Sequence, residues 1–185
     1  VVAMARKAYP GSPLFRLLAP PGSGIRTPAD LAGVEIAISQ NTVIEYITDR
    51  MLEQSGVDPE QIAIIEVSAI PVRFEQLMAG QVQAATLPDP LAQGAVAAGA
   101  TLVVDDSQFA DLSQSVLVFT VEALKAKPGT VRKFLSAWEK AAAELNSDPA
   151  AFRDLLIEQG RVPASIEGSY SMPPFPEGEI TSEAQ

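Results

Sequence analysis

A chain of 185 residues, 47% apolar and only 19% charged, is long enough for one domain or two small lobes and apolar enough to bury a core, which excludes a fibre and a disordered chain. Thirteen Lys+Arg against 23 Asp+Glu leave a formal charge of −10 with no basic cluster, so nucleic acid is not an expected partner. The absence of both Cys and His removes disulfides, thiolate nucleophiles, Cys- or His-based metal sites and the Ser-His-Asp and Cys-His catalytic arrangements, and no metal or cofactor is expected.

The candidate membrane segment, Ala84 to Val104, is interrupted by Pro88, Asp89, Pro90 and two glycines, so no transmembrane helix is predicted. The chain starts at Val1 without a charged-then-apolar leader and reads as a processed or trimmed product.

In chain order, Thr27-Pro28-Ala29-Asp30 carries an N-cap hydroxyl, proline at the first helical position and an acid at the third. That short helix closes at Gly33, before the apolar run Val34 to Ile38, which predicts a strand. Ser39-Gln40-Asn41-Thr42 opens a second helix, with Val43, Ile44, Ile47, Met51 and Leu52 on one face and Gly56 at its end. A strand over Ile62–Val67, a short helix over Phe74–Ala79 capped by Gly80, a strand over Val82–Thr86, a helix over Asp89–Ala98 and a strand over Leu102–Val104 follow. Strands that alternate with helices predict an α/β fold with a mostly parallel sheet flanked by helices.

The last third changes character. Ser115–Thr120 reads as a strand, and Pro128-Gly129-Thr130 leads into an amphipathic helix whose Val131, Phe134, Leu135, Trp138 and Ala142 read as a core stripe. A further helix is predicted from Asp148-Pro149 to Gly160, and the proline-rich run from Met172 to Gly178 is expected to lie extended over a surface.

The run Gly24-Ile25-Arg26-Thr27-Pro28-Ala29-Asp30-Leu31-Ala32-Gly33 resembles the hinge signature of periplasmic binding proteins of the nitrate/sulfonate/taurine and thiamine-precursor class. Three further segments are similar in order and spacing: Phe74 to Ala85, Pro88-Asp89-Pro90, and Val116 to Phe119 with Val131 to Leu135. Gln83 stands where the family has Asp, and Leu87-Pro88 replaces an aromatic before the acid-Pro step. The likeness runs from about Ile25 to Phe175, while the family's first α/β segments and C-terminal helix find no counterpart. It implies a periplasmic-binding-protein-like fragment: one complete α/β lobe over 34–106, with 1–33 and 107–185 supplying hinge strands and part of a second lobe.

Such proteins hold a small solute between two lobes that close by a hinge. The cleft is expected beyond the carboxyl ends of the strands, where helix N-termini offer unpaired N–H groups. Ser39, Gln40, Asn41 and Thr42 sit at such a place: either Ser39 or Asn41 caps the helix, or at least one of the four contacts the ligand. Asp89, between two prolines, either N-caps the Pro90 helix or faces the solute. Ser68 to Arg73 occupies the corresponding loop after the next strand; Arg73 either clamps an acidic group or is a solvated charge paired with Glu75 or Glu66.

No catalytic residue is expected. The resemblance implies a periplasmic or otherwise extracytoplasmic binding protein that captures a small polar organic or oxyanion solute for an ABC permease and ATPase, with membrane association only through the permease or a removed lipid anchor. Two other readings stay open: the sensing domain of a signalling protein, and a carboxylate enzyme using Asp89 with Glu45 or Glu66. Nucleotide binding is disfavoured, because the Ser39–Thr42 turn lacks the glycines that wrap a pyrophosphate.

Overall fold

Residues 2–109, 111–160 and 162–176 are described by a computed structural model. Seven strands run β1 (Ala3–Lys7), β2 (Phe15–Ala19), β3 (Glu35–Ile38), β4 (Ala63–Glu66), β5 (Ala84–Pro88), β6 (Thr101–Asp105) and β7 (Gln114–Leu117). The α-helices are α1 (Val43–Gln54), α2 (Ile70–Met78), α3 (Leu91–Ala97), α4 (Val121–Ala126), α5 (Pro128–Ser147) and α6 (Arg153–Gly160).

Five strands form one sheet in the order β4-β3-β5-β2-β6. β3 is parallel to β4 and β5, whereas β2 runs antiparallel to both of its neighbours, β5 and β6. Four strands therefore point one way and β2 is threaded among them in reverse. Side chains alternate between the two faces of a strand, and the cores follow this rule. Leu17, Ile36 and Ile38 pack with Ile47, Met51 and Leu52 of α1. Their neighbours Leu18 and Ala37, with Ala85 and Leu87, pack on the other face against Leu77 of α2 and Ala92 and Ala95 of α3. Helices thus cover both faces, which explains why the strands read as continuous apolar runs.

Beside this unit, β1 and β7 make a two-stranded antiparallel ribbon. The segment 162–176 links the parts. Pro163 packs on Gly94 of α3, and Asn146 of α5 exchanges two hydrogen bonds of 2.8 Å with the backbone of Phe175. Phe175 also meets Trp138 edge to face.

Several predicted elements shift. β2 was not identified from sequence, and it stands inside the sheet although it precedes the 34–106 segment. α2 begins at Ile70 rather than Phe74, with Pro71 in its first turn, so Arg73 lies within a helix. The helix expected from Asp148 to Gly160 is a 3-10 turn over Pro149–Phe152 followed by α6. The predicted α5 stripe is only partly core: Val131 and Ala142 are buried, whereas Phe134 is 46% exposed and meets Phe119 edge to face. The run from Met172 has no regular structure through 176, and Glu177 and Gly178 lie outside the described residues. Among the described residues, no helix is long and apolar enough to cross a membrane.

Candidate functional site

The carboxyl ends of β3, β4 and β5 form one edge of the sheet, because both β4 and β5 pair with β3 in parallel register. Ser39 to Thr42 follow β3, Ser68 follows β4 and Asp89 follows β5, so the predicted candidates share that edge. Arg16, near the start of the reversed strand β2, pairs with Leu87 and arrives at the same edge from the opposite direction.

At the β3–α1 turn, Thr42 is the N-cap of α1: its Oγ1 accepts from the Ile44 amide at 3.1 Å and donates to the Ser39 carbonyl at 2.7 Å. The cap expected at Ser39 or Asn41 falls to Thr42. Ser39 is buried, and its hydroxyl donates to the Ser68 carbonyl at 3.1 Å while accepting from Arg73 Nη1 at 3.0 Å. Gln40 and Asn41 are exposed, and Asn41 adopts a left-handed φ of 58°. Their backbone amides are engaged by the chain's own carboxylates, Gln40 donating to Glu66 Oε2 at 2.7 Å and Asn41 to Glu45. Glu66 also accepts from the Ser68 hydroxyl. These donors, the Ser68 hydroxyl foremost, hold the Glu66 carboxyl below its ordinary range.

Arg73 is not the solvated charge expected under one of its two readings. It has no accessible surface, because α2 starts a turn earlier than expected and turns this position inward. Nη1 donates to Ser39 Oγ and, at 3.1 Å, to the Val67 carbonyl, whereas Nε and Nη2 have no partner. Burial pushes its pKa down to about 10, opposed only by the charge of Glu66.

At the β5 end, Asp89 does not cap α3, whose N-cap is Pro90 without a side-chain bond. Its carboxylate instead accepts from Arg16 and, at 2.8 Å, from Gln93, and both members of the Arg16–Asp89 ion pair are largely buried. Burial outweighs Arg16 and raises the Asp89 pKa. Arg6 and Tyr170 lie within electrostatic reach. The Arg6 guanidinium stacks 4.9 Å over the Phe175 ring, and its buried Nε has no partner. Tyr170 also borders a cavity of about 300 Å³ shared with Arg153, Leu156, Ile157 and Met172.

Sequence reasoning did not assign Arg6, Arg16, Gln93 or Tyr170 to the site. The available signal was a cation inside an apolar strand, Phe-Arg-Leu-Leu-Ala, where a charge is tolerated only with a partner. Asp89 engages Arg16 and Gln93 whereas Glu45 and Glu66 engage the β3–α1 turn, so the carboxylates of the enzyme reading belong to separate clusters. Among the described residues, no group of three or more His, Cys, Asp or Glu could hold a metal ion.

Residues 7–152 match the family described as NMT1/THI5 like. The chain belongs to this family. Similar solved structures of the NMT1/THI5-like chain include two binding proteins. The alkanesulfonate-binding protein SsuA from Xanthomonas axonopodis pv. citri, bound to MOPS, has a TM-score of 0.73 at 22% identity and covers 99% of this chain and 63% of its own. The periplasmic aliphatic sulphonate binding protein SsuA from Escherichia coli has a TM-score of 0.78 at 21% identity and covers 100% of this chain and 59% of its own. The desulfurization enzyme DSZB is also similar, with a TM-score of 0.63 at 17% identity over 94% of this chain and 66% of its own. The NMT1/THI5-like chain thus spans about three fifths of the SsuA proteins it matches. No curated protein matches it in sequence. The family resemblance and the α/β fold read from the sequence are borne out.

Proposed function

We propose that this NMT1/THI5-like chain is the solute-capturing part of an extracytoplasmic binding protein that delivers a small polar organic or oxyanion solute to an ABC permease and its ATPase. One observation carries the reading: in a member of this family, polar groups from three successive strand ends, with a buried cation beneath them, gather along one edge of the sheet. Gln40, Asn41 and Ser68 offer the solute side-chain donors and acceptors, Thr42 and Ser39 fix the turn that presents them, and Arg73 supplies positive charge from below. Asp89, tied to Arg16 and Gln93, forms the other end. The lobe consists of the 34–106 segment with β2 added, and the β1–β7 ribbon with α4–α6 belongs to hinge and second lobe. The similarity in fold to SsuA from Escherichia coli, a periplasmic aliphatic sulphonate binding protein, supports trying sulfonates first.

The experiment is a thermal-denaturation screen of sulfonates, nitrate, aromatic acids and pyrimidines. A solute present at 100 times its Kd adds about 2.7 kcal/mol of stability. The shift is expected to vanish in Asn41→Ala and to weaken in Asp89→Asn. A stabilising solute whose effect survives both substitutions, or turnover of any of these compounds, overturns the reading.

A further inference from the structure

We infer that the Glu66 carboxylate is a built-in stand-in for the acidic group of the solute: it fills the seat between the Gln40 amide and the Ser68 hydroxyl that an anion takes on binding, and it swings out first. This inference rests on the solute-binding reading above and deepens it.

Each oxygen of Glu66 has its own donor from the chain. Oε2 accepts from the Gln40 N–H at 2.7 Å and Oε1 from the Ser68 hydroxyl. The two donors come from different turns, one after β3 and one after β4, which the parallel register brings together. A planar, two-oxygen anion thus already sits across the strand ends.

An anion is wanted there for an independent reason. Arg73 is fully buried, makes no ion pair among the described residues and leaves Nε and Nη2 without a partner. Its bonded nitrogen reaches Ser39 and Val67, the residues adjacent in sequence to Gln40 and Ser68. A guanidinium remains charged at neutral pH, so a positive charge with no ion pair, answered only at longer range by Glu66 itself, lies under the two turns and favours negative charge at their mouth. The neighbouring amide, Asn41, is likewise taken by a carboxylate of the chain, that of Glu45.

Glu66 is also free to leave. It is exposed, it ends β4, and β4 is an edge strand of the sheet. Among the described residues, neither packing nor an ion pair holds it. A neutral or cationic solute gains nothing by displacing it, whereas an anion with two acceptor oxygens replaces its hydrogen bonds one for one. Glu66 thereby sets a threshold: a weakly accepting anion does not displace a tethered carboxylate, because the tether gives Glu66 a high effective concentration.

The test is chemical rescue. Glu66→Ala in the 185-residue chain keeps Cβ and empties a seat of acetate shape. The Gln40 amide resonance is followed by NMR during titration with sodium acetate at constant ionic strength. The Glu66→Ala chain is expected to bind acetate at least tenfold more tightly than wild type, with a saturable shift at Gln40. Glu66→Gln, which keeps the side chain and removes the charge, is expected to gain less, and the distant surface variant Glu35→Gln to gain nothing. Equal titrations of wild type and Glu66→Ala, or an equal gain in Glu35→Gln, overturn the inference. Should Glu66→Ala not fold, Glu66→Gln against Glu35→Gln decides by the same criterion. Acetate capture by Glu66→Ala alongside a silent solute screen upholds the stand-in while the importer reading falls. A solute found by the screen whose affinity Glu66→Ala leaves unchanged overturns the stand-in alone.

Discussion

Replacing Arg73 by Met removes the charge and keeps most of the unbranched stem. The guanidinium has no accessible surface, no ion-pair partner and two unfilled donor nitrogens, and burial holds its pKa at about 10, well below an ordinary guanidinium. A drop of that size corresponds to a net penalty of about 3 kcal/mol, what is left of the desolvation after the opposing charge of Glu66. Against this stand two hydrogen bonds. Ser39 Oγ keeps its donation to the Ser68 carbonyl, so the group orphaned is the Val67 carbonyl, at about 1–2 kcal/mol. Arg73→Met is therefore expected to be as stable as wild type or up to about 2 kcal/mol more stable by urea unfolding, with an unchanged m-value. Arg73→Ala, which also leaves a cavity, is expected to lose about 2 kcal/mol or more. In the solute screen Arg73→Met should bind more weakly despite its stability, the pattern of a charge retained for function at a cost to the fold. A loss above about 2 kcal/mol in Arg73→Met, approaching the 3–5 kcal/mol of a broken buried ion pair, would refute the reasoning.

Asp89→Ala strands the largely buried Arg16 and is expected to cost about 3–5 kcal/mol, much of it recovered in the double variant Arg16→Met/Asp89→Leu, as a double-mutant cycle in urea would read. Two pH effects of opposite sign follow. Asp89 keeps its proton to higher pH in the folded chain than in the unfolded one, so its contribution is full below the ordinary Asp range and lost as pH rises through its raised folded value. Glu66 is held below its ordinary range, so its contribution is present above that range and lost as pH falls through its folded value; Asp89→Asn should reduce the first trend, which Asp49 and Asp106 share, and Glu66→Gln the second, which Asp30 shares, in denaturant midpoints against pH. Gly94→Ala would put a Cβ 2.9 Å from Pro163 Cγ, and the rigid ring cannot yield by rotating. The gain in helix propensity of about 1 kcal/mol should be outweighed, with faster hydrogen exchange of the Tyr170 amide, which bonds the Ile166 carbonyl at 2.7 Å. Leu17→Ala, at a fully buried position in the reversed strand, is expected to cost about 2–5 kcal/mol by urea unfolding.

The alternation of elements from β3 to β6 was legible in the sequence because each signal is local. Ile36-Ala37-Ile38 between Gly33 and a polar turn has few conformational options, and the apolar face of α1 repeats at helical spacing up to Gly56. The position of Ser39 to Thr42 at a strand–helix junction, and hence their candidacy for the site, follows from the same local chemistry. Where sequence reasoning fell short, the deciding contacts are long-range. Phe15–Ala19 is five residues without period-two alternation, and it becomes a strand because β5 and β6 each offer a free edge that it fills. Asp89 could as well have capped a helix; it does not because Arg16, 73 residues earlier, reaches it first.

The sequence alone, then, determined that strands alternate with helices, that the chemistry of Cys and His is absent, and that polar residues stand at the strand ends. Only the tertiary structure decided which charges are buried and what answers them: that Arg73 lies beneath the turn with no ion pair among the described residues and only the charge of Glu66 opposing it, that Glu66 bridges two turns, and that β2 runs backwards through the sheet. The physical reason is that propensity and capping act over a few residues and are written locally, whereas the cost of burying a charge depends on groups far along the chain that only packing brings near.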